Sequence, residues 1–204
     1  MLISAQASLT RKPMTGPTRA VVGPNAITQL AAALDACCGQ ATEHDVLKAA
    51  GLSCYAAAMP TTLVPESEAA RLFAATRSIV GLPKADAVLS MAGSLTADYI
   101  IANRIPHRAR QILQHMPPWL AARMLLVAIK AHAWTFAGSG HVTVDIGRYP
   151  SMTIAANPLA TPGCHWHVAV LQGLLRKSGA PAANVAHVQA STADRFAIHI
   201  NPMT

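Results

Sequence analysis

The residues with the clearest capacity for chemistry lie near the carboxyl end of the chain, in the segment TPGCHWH. Cys164 and His167 are three residues apart, so on a helix they would share one face. A thiolate and an imidazole are good zinc ligands, but a tetrahedral site needs two further groups. His187 on a predicted strand and Asp194 in the turn that follows are the candidates. The alternative interpretation is a buried thiol with surface histidines.

A second chemical cluster lies in the segment AHAWTFAGSG, residues 131–140, where an apolar helical pattern ends. His132 is interpreted either as a helix-terminal histidine, stabilised by the helix dipole or by a backbone carbonyl, or as an axial ligand to a flat, metal-centred tetrapyrrole. In the first interpretation Trp134 and Phe136 are core residues, and in the second their rings pack on the tetrapyrrole. The residue types alone leave both interpretations open.

The glycines of GSGHVT do not indicate a nucleotide site. A dinucleotide-binding fingerprint has a strand before its glycines and a helix after them, so that the helix amino end faces the pyrophosphate. Here a helical pattern comes first, an alternating pattern follows, and Thr143 holds the place of the third glycine. Neither an iron–sulfur cysteine spacing nor a flavin motif is present. The sequence therefore predicts no intrinsic redox cofactor.

Composition narrows the class of protein. The chain has 204 residues, of which 52% are apolar and 12% are charged, so we expect one domain with a large core. The formal net charge is +7, yet Lys and Arg are scattered and aromatic residues make up only 4%. This combination argues against a nucleic-acid partner. Diffuse positive charge suits an anionic membrane surface or an acidic small molecule better.

The sequence predicts a cytoplasmic protein, with peripheral membrane association as an open alternative. The longest apolar segment, residues 119–134, is interrupted by Arg123 and Lys130, so it is too broken to span a bilayer. Residues 1–20 are expected to form a flexible basic tail, because they lack the pattern of a secretory signal. The four cysteines are irregularly spaced, which favours reduced thiols over a disulfide framework.

Hydrophobic periodicity predicts an α+β fold in residues 21–204. Helical spacing dominates the first two thirds, with helices expected from Asn25, Thr42 as N-cap, Pro65, and again after Pro106 and Pro117. A further helix is expected in residues 84–105, with an apolar stripe of Ala87, Met91, Leu95 and Tyr99. In the helix after Pro117 the stripe is Leu120, Met124, Val127, Ala128 and Ala131. From Gly138 the period changes to two, which predicts an antiparallel sheet of two hairpins with an intervening helix.

Four segments, GPNAITQL, TADYIIANRIP, LAARMLLVAIKAHAWTFAGSG and NPLA, resemble the bacteriochlorophyll 4-vinyl reductase family of phototrophic bacteria. The resemblance extends from about Val22 to Ile200 and is most specific between Thr96 and Gly140. It implies the 4-vinyl reductase domain fold, which is similar to vesicle-tethering TRAPP subunits and to ligand-binding modules of aromatic-responsive regulators. It also implies a place in bacteriochlorophyll synthesis, at reduction of the 8-vinyl group of a divinyl chlorophyllide or its precursor.

The resemblance also bears on the metal site. Domains of this kind usually carry one cysteine before the last helix and two more across the final hairpin. Cys164 matches the first, but the hairpin VAHVQASTADRFAIHI contains no cysteine. His187 and Asp194 fall near the vacated places. They either replace the cysteines as zinc ligands or the metal has been lost, and on the sequence we favour loss.

Reduction of a vinyl group requires a source of hydride or electrons, which no side chain supplies catalytically. We therefore predict a protein that binds a divinyl chlorophyllide-type magnesium tetrapyrrole and presents it to other enzymes of bacteriochlorophyll synthesis, near the photosynthetic membrane. In this hypothesis His132 ligates the magnesium and three aromatic residues pack on the macrocycle, namely Tyr99, Trp134 and Phe136. The basic rim that would meet the pigment's propionate consists of Arg104, His107, Arg108 and Arg110.

Three alternatives remain open on the sequence. The first is a true reductase that uses an external electron donor. The second is a small-molecule sensor, because related domains serve in that way. The third is a structural protein that forms homodimers through its helices, by analogy with tethering subunits.

Overall fold

A computed structural model describes residues 20–190 and 192–200 of the chain. Residues 1–19, which make up nearly all of the predicted basic tail, lie outside the described residues. In the described part the elements follow the predicted order of helices, hairpin, helix and hairpin, which confirms a mixed α and β fold with antiparallel pairing.

Helices dominate residues 20–137. They are α1 (Asn25–Cys38), α2 (Gln40–Ala49), α3 (Cys54–Ala57), α4 (Glu66–Val80), α5 (Lys84–Asn103), α6 (His107–Gln114), α7 (Pro118–Ala131) and α8 (Trp134–Ala137). A short antiparallel pair, β1 (Val21–Val22) and β2 (Val64–Pro65), lies among them. The prediction of Thr42 as an N-cap was wrong. Helix α2 begins two residues earlier, and the Thr42 hydroxyl donates to the carbonyl of Cys38 at 3.0 Å.

The second part of the chain forms a four-stranded antiparallel sheet and one long helix. The elements are β3 (His141–Asp145), β4 (Ser151–Ala155), α9 (His165–Lys177), β5 (Ala183–Ala190) and β6 (Ala193–Ile200). The strand order is β3-β4-β6-β5, so the two hairpins join through β4 and β6. In β6, Phe196 and Ile198 are buried whereas Arg195 and His199 are exposed. This alternation is the period-two pattern of a sheet with one face on a core.

Helices α5 and α9 are in close contact at Gly93, which carries no side chain. A Cβ atom at this position would lie 2.4 Å from the carbonyl oxygen of Trp166 and 2.7 Å from the Cβ of Ala169. Such distances are well inside van der Waals contact, so only glycine permits this backbone approach. The contact fixes the first turn of α9, which adjoins Cys164.

Only one side of α7 is buried, although the long apolar segment of residues 119–134 indicates a buried helix. The buried residues of α7 are Ala121, Ala122, Leu125, Leu126 and Ile129. The predicted stripe, which includes Met124 and Val127, lies on the exposed side. In α5 the residues Ala87 and Met91 of the predicted stripe are likewise exposed. Both helices are apolar around most of their circumference, so periodicity could not indicate which side meets the core.

The core is continuous between the helices and the inner face of the sheet. Its largest fully buried side chains include Trp166 on α9, Phe73 on α4 and Phe196 on β6. The rings of Phe73 and Trp166 meet edge to face with centroids 5.5 Å apart. Within residues 20–190 and 192–200, no helix combines the length and apolarity needed to cross a bilayer.

Candidate functional site

Three potential metal ligands from three different elements converge at one edge of this core. Cys164 ends the 3-10 turn Pro162–Cys164 just before α9, His187 lies on β5, and Asp194 lies on β6. One ligand atom from each residue lies within 4.8 Å of the other two. We call this group the Cys164–His187–Asp194 cluster. The structure thus brings together three of the four residues selected from the sequence.

The fourth residue, His167, is not part of the cluster. The spacing argument assumed that Cys164 and His167 lie on the same helix, but Cys164 precedes α9 and has a left-handed backbone with φ of 42°. His167 lies 3.3 Å through its Nε2 from the carbonyl oxygen of Phe136. Because a carbonyl only accepts, Nε2 carries the proton. The buried Nδ1 has no hydrogen-bond partner among the described residues.

Asp194 is the centre of the cluster's hydrogen bonds. It was predicted in a turn, but it lies within β6, on the strand face that also carries Phe196. Its Oδ1 lies 2.8 Å from Nε2 of His187, and its Oδ2 accepts from Nδ2 of Asn157 at 2.9 Å. Burial opposes ionisation, yet hydrogen bonds with His187 and Asn157 outweigh it and lower the pKa of Asp194 below its usual range. The side chain is therefore a carboxylate at neutral pH.

Cys164 carries a neutral thiol in this arrangement. Burial raises its pKa to about 12, against an opposing hydrogen bond with the Thr161 backbone, and the charge of Asp194 raises it further. At neutral pH the thiol keeps its proton and lies beside the Asp194 carboxylate. The hydrogen bonds of the cluster are those that Asp194 makes with His187 and Asn157.

The donor set of the cluster fits a zinc ion. Sulfur, imidazole nitrogen and carboxylate oxygen are the three ligand types that zinc accepts, and three protein ligands leave one coordination position for another group. Binding would require the Cys164 thiol to lose its proton and His187 to release its bond to Asp194. The cluster can thus exist either as a hydrogen-bonded network or as a metal site, with the same residues in both.

Asn157 is a site residue that sequence analysis missed. Its side chain donates to Asp194, and its Oδ1 accepts from the backbone N–H of Leu159 at 3.1 Å. The residue lies in the NPLA segment that carries part of the family resemblance. A polar residue at the start of a short loop is also a common turn former, so its role at the cluster was not apparent from the sequence.

The residues predicted to bind a pigment occupy different environments. His132 is exposed just after α7, where its Nδ1 lies 3.1 Å from the carbonyl oxygen of Ala128. Nδ1 must donate in this bond, so in the neutral imidazole the lone pair of Nε2 is available to a metal. Trp134 is 47% exposed, whereas Phe136 is buried with its ring centroid 6.4 Å from that of His167. Tyr99 on α5 is half-buried.

The predicted basic rim lies on the surface. Arg104, His107 and Arg108 are exposed around the start of α6, and Arg110 is half-buried. Two surface cavities have volumes of about 360 and 300 Å³. The first lies between α4 and residues 158–162, and the second between the α6–α7 connection and the end of α9. Neither is lined by a residue predicted to bind a pigment, and His132 is itself exposed.

The segment GSG at residues 138–140 forms a structural turn. Gly138 has a left-handed φ of 54°, and the Glu66 carboxylate at the start of α4 accepts from both the backbone N–H and the hydroxyl of Ser139, at 2.7 and 2.8 Å. The glycines let the chain leave α8 and begin β3 while this carboxylate holds the turn. Sequence analysis missed Glu66.

Comparison with solved structures indicates a known overall fold. An H-NOX protein from S. oneidensis, solved in its Fe(II)NO ligation state, superimposes with a TM-score of 0.54 at 11% sequence identity. The match covers 89% of this chain and 100% of that chain. At this identity the similarity concerns the fold alone.

Comparison with individual protein sequences identifies the family, although no family model matches the chain. The chain is 40% identical over 162 residues to the bacteriochlorophyll synthase 23 kDa chain of Cereibacter sphaeroides, covering 76% of this chain and 77% of that protein. It is 39% identical over 158 residues to the protein of the same name in Rhodobacter capsulatus, covering 75% and 73%. These relatives confirm the family association predicted from the sequence: the chain belongs to the family of the bacteriochlorophyll synthase 23 kDa chain.

Proposed function

We propose that this protein acts in bacteriochlorophyll biosynthesis at the step that reduces the 8-vinyl group, where it binds a divinyl chlorophyllide-type pigment and presents it to partner enzymes. The observation that carries the proposal is family membership, at 40% and 39% identity to two bacteriochlorophyll synthase 23 kDa chains. Because that name denotes one chain of a synthase, it supports a protein that works together with other chains.

The surface at the end of α7 supports pigment binding there. His132 has one ring nitrogen fixed to a backbone carbonyl, which leaves the other for axial ligation of magnesium. Trp134 presents a half-exposed indole two residues away, and a flat ring can stack on it. Phe136 is buried, so it supports this surface from the core beneath it. Arg104 and Arg108 are exposed cations that suit a propionate.

The test is an absorbance and fluorescence titration of the purified protein with divinyl protochlorophyllide. We expect a shifted Soret band and quenched tryptophan fluorescence, with affinity about tenfold lower in His132→Ala, a difference of about 1.4 kcal/mol. His115→Ala is the matched control, because His115 is also an exposed histidine whose Nδ1 lies near a carbonyl four residues earlier, that of Gln111. That variant should bind like the wild type.

An unshifted Soret band with unquenched fluorescence would eliminate pigment binding. Equal affinities of the His132→Ala and His115→Ala variants would clear His132 of the ligand role while leaving binding intact. If the isolated protein forms the ethyl product when it is supplied with pigment and NADPH or reduced ferredoxin, it is the reductase itself. We expect no such product without partner enzymes.

We also propose that Cys164, His187 and Asp194 hold a zinc ion that ties α9 to β5 and β6. The convergence of three ligand atoms within 4.8 Å supports this role over the loss favoured on the sequence. Cobalt substitution should produce a thiolate-to-metal absorption band that is absent in Cys164→Ser. Cys54→Ser, at an exposed thiol, should retain the band. Absence of bound metal after addition of zinc and dialysis would refute the site.

A further inference from the structure

Helix α7 presents an apolar surface that no other described element covers. Trp119, Met124 and Val127 are 52%, 48% and 54% exposed. Two cations, Arg123 and Lys130, are on the same side of the helix, opposite the buried residues. We define the outer face of α7 as Trp119, Leu120, Arg123, Met124, Val127, Lys130 and Ala131.

The charge of the chain is concentrated in the part that contains this face. No Asp or Glu occurs between Tyr99 and Val144, although five Lys or Arg residues do. Residues 99–204 contain nine of the sixteen Lys and Arg residues but only two of the nine acidic residues. They therefore account for the whole formal charge of +7. Within the described residues, none of the five cations of this interval forms an ion pair.

The β3–β4 turn extends the outer face of α7. Arg123 donates to the carbonyl oxygens of Ile146 and Gly147 at 2.7 and 2.9 Å, and its guanidinium lies 5.0 Å from the ring centroid of Trp119. In the same turn Ile146 and Tyr149 are 47% and 70% exposed. The result is a surface of exposed aromatic and aliphatic side chains with Arg123 held among them and Lys130 on the same side of α7. This composition is typical of proteins that lie at a membrane interface.

We propose that the outer face of α7 docks on an anionic lipid bilayer. An apolar face bordered by unpaired cations matches a partner that is apolar inside and negative at its surface. A second copy of the chain fits less well, because two such faces would bring like charges together. This inference does not depend on the proposed function, since it requires neither pigment nor partner enzymes.

The experiment is vesicle flotation of the pigment-free protein. The vesicles contain phosphatidylcholine alone or with about 30% phosphatidylglycerol, at low salt and at about 0.5 M salt. We expect the protein to float only with the anionic vesicles and to dissociate at high salt, with a blue shift of tryptophan emission on binding. Val127→Glu should lower the partition coefficient about tenfold, because it places a negative charge in the apolar face.

The matched control is Val188→Glu. Val188 is 52% exposed on β5, so both substitutions introduce the same group at a similarly exposed valine. Coincident thermal melts would show that both variants are folded, and Val188→Glu should bind vesicles like the wild type. Equal binding by the two variants, or no binding to anionic vesicles, would overturn the proposal. So would a wild-type dimer that Val127→Glu converts to a monomer without any vesicle binding.

Discussion

Nε2 of His187 lies 2.8 Å from Oδ1 of Asp194, although the two residues are not directly opposed in the sheet. The register places Phe196 opposite His187 and Gln189 opposite Asp194, so the bond runs diagonally between two positions on the same face. Side chains alternate between the faces of a strand, so a shift of one residue would send one of the pair to the other face. The cluster therefore depends on the register of the final hairpin.

Replacing the central carboxylate should destabilise the protein strongly. Asp194→Ala leaves the donors of His187 and Asn157 without their acceptor inside the protein, and we expect a loss of roughly 3 kcal/mol in the free energy of unfolding. Asp98→Ala is the control, because Asp98 pairs with Lys177 on the surface and such pairs contribute about 0–1 kcal/mol. Urea denaturation measures both. Similar losses in the two variants would contradict the central role of Asp194.

The free energy of unfolding should fall on acidification through the titration of His167. Burial lowers the pKa of His167 from 6.5 to about 4, so between these values the unfolded chain binds a proton that the folded chain does not. Stability is therefore fully present above about pH 6.5 and is lost progressively down to about pH 4, by roughly 3 kcal/mol.

The measurement for His167 is the pH dependence of urea unfolding in the metal-free protein. His167→Leu should show a shallower dependence between pH 6.5 and 4, whatever its absolute stability, because the titrating group is gone. The pKa of Asp194 is lowered, so the stability that its ionised form provides is lost as the pH falls further, and this loss occurs in both proteins. An unchanged slope in His167→Leu would show that His167 does not cause the acid sensitivity.

Adding a methyl group at Gly93 should destabilise the contact between α5 and α9. Alanine favours helices over glycine by about 1 kcal/mol, but its Cβ would lie 2.4 Å from the Trp166 carbonyl oxygen. We expect a net loss of about 1–3 kcal/mol in Gly93→Ala and a lower melting temperature. Ser94→Ala at the neighbouring exposed position should leave the melting temperature nearly unchanged. A Gly93→Ala variant as stable as the wild type would mean that α5 and α9 can move apart to accommodate the methyl group without a loss in the free energy of unfolding.

Removing the Glu66 carboxylate should loosen the turn between α8 and β3. Glu66→Ala eliminates both hydrogen bonds to Ser139, and we expect a loss of about 2 kcal/mol together with faster hydrogen exchange of the Ser139 amide. Ser139→Ala removes only the hydroxyl bond, so its loss should be smaller. If Ser139→Ala costs as much as Glu66→Ala, the bond to the backbone amide contributes little.

Local patterns were sufficient to predict the order of the elements. The spacing of Ile27, Leu30 and Leu34 indicates the buried side of α1, and Gly39, a residue type that commonly ends helices, follows its last residue. The alternation of Phe196 and Ile198 with exposed neighbours likewise indicates β6. Such patterns reflect the periods of a helix and of a strand, which depend only on neighbours along the chain.

Residue patterns along the chain were enough to predict the family, the order of helices and strands, and Cys164, His187 and Asp194 as candidate ligands. Tertiary packing was needed to show that His167 lies outside the cluster, that Asn157 is hydrogen-bonded to it, and that Met124 and Val127 are on the exposed side of α7. These differences have one cause. Periodicity fixes which residues share a face, whereas the neighbour of that face is set by the packing of segments distant in the chain.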